Sequence, residues 1–253
     1  MRPSTRRWVF LVGLAGLAAF YLWGLDGLPG FGRYPGPYGN LIVENSVRQL
    51  HATGTVSAVN FAYRGFDTVG EEFILFVAAV GVSTVLRRLR RERERSPLDE
   101  ASDRDVPATS DAVRMVAVLL TGPIVLFGWL LASHAQTNPS GGFQGGVVLA
   151  SALILVYLGG QFVVFRRFSP TDVFEAAEAL GAGSFAAIGV SALGYGLAYL
   201  TDILPLGTSP GAVDSSGTIA LISFFVAIEV SGAFVLIVAE LLEQTLVLRG
   251  EGS

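Results

Sequence analysis

The chain has 253 residues, of which 51% are hydrophobic and 15% charged, with a mean hydropathy of +0.56 and a formal net charge of −4. Soluble domains carry about 25% charged residues, so the composition points to lipid, and the acidic balance argues against a nucleic-acid partner. Cysteine is absent, which excludes disulfides, thiolate catalysis and cysteine-ligated metal clusters. Only two histidines, His51 and His134, are available, which excludes a histidine-rich metal site.

A membrane-crossing helix needs about 20 apolar residues, and six stretches qualify. The first, Trp8–Leu25, follows Arg2, Arg6 and Arg7 and faintly resembles a twin-arginine signal. Its apolar run is too long for a signal core and no small-residue cleavage site follows, so a retained helix is expected. The others are Gly65–Leu86, Met115–Ala132, Gly145–Phe165, Leu180–Leu200 and Ile219 to about Leu248. Pro123 falls within the third and is expected to kink it. The expected fold class is an all-α membrane protein with about six transmembrane helices in two modules, two plus four.

All basic residues are arginine, and their distribution sets an expected orientation. Arg2, Arg6 and Arg7 precede span one. The run from Arg87 to Arg95 lies between spans two and three, Arg166 and Arg167 end span four, and Arg249 follows span six. The positive-inside rule places all of these, and both termini, on the cytoplasmic side. Segments 133–144 and 201–217 carry no arginine and fall outside. The long outer segment 26–64 holds Arg33, Arg48 and Arg64.

Residues 1–90 form a first module, 91–112 a charged cytoplasmic linker expected to be exposed and mobile, and 113–253 a second module. Ser169-Pro170-Thr171-Asp172 reads as a capping box with proline at the first helical position. A short amphipathic helix is expected there, lying along the interface before span five. Its acidic side would be Asp172, Glu175 and Glu178, and its apolar side Val173, Ala177 and Leu180.

Ionisable groups inside the spans are the candidates for chemistry. The uncharged run Phe73–Leu86 is 14 residues, about 21 Å at 1.5 Å per residue, against a hydrocarbon core of about 30 Å. Span two must therefore extend back through Glu72 and Glu71 towards Asp67. Asp67 and Glu71, four apart, share a face, and form either an interfacial acidic collar or a cation entrance beside Arg64. Glu229 is the eleventh of the 21 residues Ile219–Ala239, near the midplane. A carboxyl there marks an ion path or a protonated structural hydrogen-bonder. Glu240 lies close to the same face about 16 Å further on; with Glu243 it reads as a solvated helix end or as steps toward the cytoplasm. His134 stands at the end of span three, before the turn Pro139-Ser140-Gly141-Gly142-Phe143-Gln144-Gly145-Gly146. The turn lacks the Walker spacing and its lysine, so it is expected to serve packing. His134 is a proton relay or a histidine that hydrogen-bonds its own turn.

The segment Arg64-Gly65-Phe66-Asp67-Thr68-Val69-Gly70-Glu71 before an apolar helix resembles the signature of the MbhE-like module. That module ends the large MrpA subunit of Mrp antiporters and forms a separate subunit in membrane-bound hydrogenases. The second half is similar to MrpB (MnhB): its histidine, Pro-x-Gly-Gly-Phe-x-Gly-Gly turn and late Glu-Val-x-Gly helix appear as His134, Pro139–Gly146 and Glu229-Val230-Ser231-Gly232. Ser133 stands where a glycine is usual before the histidine, and Ser140 replaces one glycine of the turn.

The resemblance implies a non-enzymatic subunit of a multi-subunit complex in a prokaryotic cell membrane. Its partners would be the other Mrp-type subunits and lipid, and the complex would exchange sodium, or potassium, for protons. No cofactor or resident metal is implied. The alternative it carries is a membrane-arm subunit of an energy-converting hydrogenase or related complex-I-like oxidoreductase. In the antiporter family the main proton-pumping elements are lysine-bearing broken helices of larger subunits. This chain has no lysine and cannot supply them.

Overall fold

The computed structural model describes residues 3–28, 32, 36–86 and 109–247; the arginine run 87–95, most of the linker and Arg249 lie outside these. Eight α-helices occur among them: α1 (Pro3–Asp26), α2 (Pro37–Leu50), α3 (Thr55–Ala58), α4 (Gly65–Leu86), α5 (Asp111–Ser133), α6 (Gly142–Phe168), α7 (Thr171–Gly194) and α8 (Thr218–Val247). A π-helical turn, Val59–Tyr63, joins α3 to α4. Six of the helices, α1 and α4 to α8, are long and apolar enough to cross a bilayer. The chain is a multi-pass membrane protein.

Residues up to Leu41 form one unit and Ile42 onward another. In the first, the described side chains of α1 are exposed on every face. The second is a bundle around α8, which touches α4, α5, α6 and α7. Its core joins Phe61, Phe185, Ile219, Ile222, Val226 and Val230 from three parts of the chain. A second cluster, Ala150, Phe162, Phe165, Val235 and Ala239, holds α6 to the lower half of α8.

Small residues bring these helices together, as expected where lipid supplies no hydrophobic drive and close packing must do the work. A Cβ on Gly142 would lie 2.2 Å from the Ser223 carbonyl oxygen, one on Gly146 2.7 Å from Val230 Cβ, and one on Gly145 2.8 Å from the Gly128 carbonyl oxygen. The glycine turn thus sets α6 directly against both α8 and α5. Helix α5 begins at Asp111, capped by Ser110 Oγ, which accepts from Val113 N at 3.3 Å, and continues through Pro123.

Three expectations are corrected. Span five is neither Leu180–Leu200 nor preceded by a separate surface helix: α7 runs unbroken from Thr171 to Gly194. It ends where Gly196 takes a left-handed conformation (φ 73°), with Leu197 N bonding Ala192 O and Gly196 N bonding Leu193 O. That is a helix stop of the Schellman type. The assigned faces do not hold either: Asp172 and Glu175 are exposed as expected, but Glu178 is not. Glu178 is buried, whereas Val173 and Leu180 are more than half exposed, because in a membrane the apolar side of a peripheral helix turns outward. Finally, the capping box does not form. Ser169 Oγ donates back to the Phe165 carbonyl at 2.7 Å, and Pro170 caps α7 without a side-chain bond.

Candidate functional site

One end of the bundle, here the cap end, is built from three connecting segments that interlock. Gly54 N donates to Gln136 O at 2.8 Å, Thr53 Oγ1 to Thr137 O at 2.7 Å, and Ser57 Oγ to Ala135 O at 2.6 Å. Gln136, fully buried, donates to Val213 O at 2.6 Å, and Gly211 N donates to His51 O at 3.3 Å. Residues 51–58, 134–141 and 201–217 are thereby tied into one lid.

Beneath this lid lies a cavity of about 240 Å³. Its walls carry both of the sequence motifs. Thr68, Glu71 and Glu72 come from α4, Ser140, Gly141, Phe143 and Gln144 from the glycine turn, and Ser57 and Asn60 from the intervening helical turns. Asn60 lies in the π-helical turn, a geometry that recurs at functional sites. Buried here without hydrogen-bond partners are Glu72 Oε2 and Ser140 Oγ.

The other residues of the first motif serve different ends. Arg64 Nε donates to Asp67 Oδ2 at 2.7 Å, and the pair is exposed. Gly65 lies under Leu200, whose Cδ1 would meet a Cβ at 2.6 Å; Gly70 has open space around it; Phe66 is exposed and meets the Tyr199 ring edge-on at 6.2 Å. Pro139 is exposed at the turn's outer edge, and Phe143 meets Phe234 edge-on at 6.4 Å. Half-buried His134 holds its own turn, with Nδ1 3.1 Å from Leu130 O and 3.0 Å from Ser133 Oγ.

Inward from the cavity the carboxylates converge. Glu72 on α4, Glu178 on α7 and Glu229 on α8 are 4%, 3% and 0% exposed. Both oxygens of Glu229, Oε1 of Glu178 and Oε2 of Glu72 are buried without hydrogen-bond partners, and the three helices that carry them pack on one another. Glycines make this possible. Gly181 sets the backbone of α7 against Glu229, and Gly232 sets α8 against the backbone at Glu178.

Three carboxylates in such surroundings cannot all be charged together without a counter-cation. The group has the chemistry to hold protons, or to exchange them for a cation. Toward the opposite end Glu240 is also buried, at 7% exposure, not a solvated helix end, because α8 stays covered by its neighbours to that depth. The side chain of Glu243 lies outside the described set.

Sequence reasoning missed Glu178, having placed it on a water-facing surface. The signal was present: Glu178, Gly181, Ala182, Phe185 and Gly189 recur every three to four residues, and all are buried.

Residues 112–236 match the family described as a domain related to the MnhB subunit of Na+/H+ antiporter. That segment carries an MnhB-related domain. The MnhB-type segment includes the glycine turn, Glu178 and Glu229; Glu72 precedes it.

A probable K(+)/H(+) antiporter subunit of Rhizobium meliloti is 28% identical over 144 residues, 50% of this chain. The chain spans only 14% of that relative's length. An uncharacterised protein of Methanocaldococcus jannaschii is also 28% identical, over 69% of this chain and 71% of its own length. Among solved structures, the membrane-bound sulfane sulfur reductase, an archaeal respiratory membrane complex, contains a chain that is 28% identical with a TM-score of 0.72. The match covers 94% of this chain and 98% of that one. The Mrp complex from Dietzia shares the fold at a TM-score of 0.69 and 21% identity, over 95% of this chain and 26% of the matching one.

Proposed function

We propose that the chain is a membrane subunit of a multi-subunit monovalent cation/proton antiporter, with an MbhE-like module (residues 1–90) preceding its MnhB-type segment. In this reading it works in a prokaryotic cell membrane, without enzymatic chemistry of its own. Its cap end faces out and both termini face the cytoplasm, as the arginines require. Sodium or potassium is the exchanged cation. One observation carries the reading: the two motifs meet at a single polar cavity, and Glu72 in its wall is buried on α4, which packs against the α8 that carries buried Glu229. Glu71 and Glu72, which line the cavity, gather cations at the entrance, Glu229 and Glu178 carry protons or the cation through the interior, and Glu240 lies toward the exit.

The test is Glu229→Gln, which keeps shape and hydrogen bonding but removes the titratable charge. Cation-dependent proton movement in inverted vesicles is expected to fall by at least about tenfold, or its pH profile to shift, while native gels show the complex assembled. About tenfold corresponds to ~1.4 kcal/mol. Wild-type activity and pH dependence would remove Glu229 from the mechanism.

The match to the sulfane sulfur reductase complex supports a second reading, a membrane-arm subunit of a respiratory oxidoreductase. The two separate on purification in mild detergent. Large antiporter-type subunits co-eluting support the first, whereas iron–sulfur or hydrogenase-like subunits support the second.

A further inference from the structure

At the end of the bundle away from the cap, α5 and α6 leave an open, wholly apolar groove of about 290 Å³ between them. It is lined by Ala112, Val113, Val116, Ala117, Leu155 and Leu158. The depression has a local cause. Ala112 and Ala117 are too small to fill it, while Gly159 brings α6 close to Val118 and to the Arg114 backbone alongside.

Arg114 is the odd residue at this place. It sits in the first turn of a membrane-crossing helix, yet among the described residues no carboxylate pairs with it, and its Nε is buried without a hydrogen-bond partner. A cation in the first turn of a helix also opposes the helix dipole, whose N-terminal end is itself positive. The exposed Asp111 is the only acidic group in that turn. Arg166 and Arg167 occupy the last turn of the antiparallel α6, at this same end. A buried polar atom left unpaired is costly, and three arginines with a helix N-terminus define an anion-attracting rim.

We propose that this groove binds an anionic phospholipid. One acyl chain lies between α5 and α6 against Val113, Val116, Leu155 and Leu158. The phosphate sits at Arg114, with Arg166 and Arg167 alongside. A zwitterionic lipid would fill the groove equally well but would bring no net negative charge to the three arginines.

The test uses native mass spectrometry of the full chain with its co-purifying subunits, to which phosphatidylglycerol or phosphatidylcholine is added. Phosphatidylglycerol is expected to bind at least about fivefold better, the scale of one arginine near a membrane surface. Arg114→Gln should abolish that preference. Arg64→Gln, at the cap end, should leave it intact. To separate lipid binding from any effect of Arg114→Gln on folding, Ala112→Leu provides an independent check: it fills the groove, keeps every arginine and should weaken phosphatidylglycerol binding by a similar factor. Equal binding of the two lipids, an undiminished preference in Arg114→Gln, or undiminished phosphatidylglycerol binding in Ala112→Leu would overturn the proposal. So would displacement of phosphatidylglycerol by millimolar inorganic phosphate, which would reveal a free-anion site instead.

Discussion

Gly181 of α7 lies so close to Glu229 of α8 that a Cβ placed on it would stand 2.5 Å from Glu229 Cβ and 2.7 Å from the Glu229 backbone nitrogen. The interior carboxylate is therefore held in place by the absence of a side chain opposite it. Gly181→Ala is expected to destabilise the bundle by about 1–3 kcal/mol through overpacking, read as an earlier thermal transition in detergent. Gly183, two residues on, has nothing within 4 Å of an added Cβ, and Gly183→Ala should be close to neutral.

The three interior glutamates are expected to behave as one unit. Glu72→Gln and Glu178→Gln should each lower cation-dependent proton movement in the assembled complex. Combining either with Glu229→Gln should cost much less than the sum of the separate losses. Additive losses in rate measurements on inverted vesicles would mean that the three act independently.

The lid makes a separate prediction. Ser57 Oγ is buried and serves both Ala135 O at 2.6 Å and Ser140 O at 3.2 Å. Ser57→Ala leaves those acceptors short of a donor and should destabilise by about 1–3 kcal/mol. The hydroxyl of Ser191 is exposed and bonds only within its own helix, to Ile188 O, so Ser191→Ala should change stability by less than about 0.5 kcal/mol. Melting of the two variants side by side checks the difference.

Asp202 caps the start of α8 from a distant loop, accepting from Thr218 N at 2.9 Å and from Leu204 N at 3.1 Å. Asp202→Ala is expected to cost about 1 kcal/mol or somewhat more. Asp202→Asn, which retains the accepting oxygen, should recover most of it. Gly217 lies against this carboxylate at a left-handed φ of 42°, so Gly217→Ala should resemble Asp202→Ala in a chemical-unfolding series.

Orientation can be read directly, since the chain has no cysteine of its own. A cysteine introduced at Thr208 is expected to react with an impermeant maleimide in intact cells. One at Ser96 is expected to react only after the membrane is opened. Labelling of Ser96→Cys in intact cells would invert the orientation on which the outer entrance depends.

Length and hydropathy were enough to give the number of spanning helices and nearly all their positions, because a bilayer demands about 20 apolar residues at each crossing. Span two is the clearest instance. Fourteen apolar residues were too few, and α4 does reach back through Glu72, Glu71 and Asp67 to Gly65. Span five misled for the opposite reason. Its first turns carry three acidic residues that read as a water-facing surface, although the face bearing Glu178 is turned into the bundle. Hydropathy averages over all sides of a helix and cannot tell which side faces a neighbour.

Sequence by itself thus determined that this is a multi-pass helical membrane protein, and it singled out Glu72 and Glu229 as charges in the wrong solvent. Only the tertiary structure decided that they belong to one group with Glu178 and that two motifs some seventy residues apart wall the same cavity. Spans are fixed by local composition against lipid. The site arises from contacts between α4, α7 and α8, set by where glycines allow backbones to close, and those contacts exist only once the helices have packed.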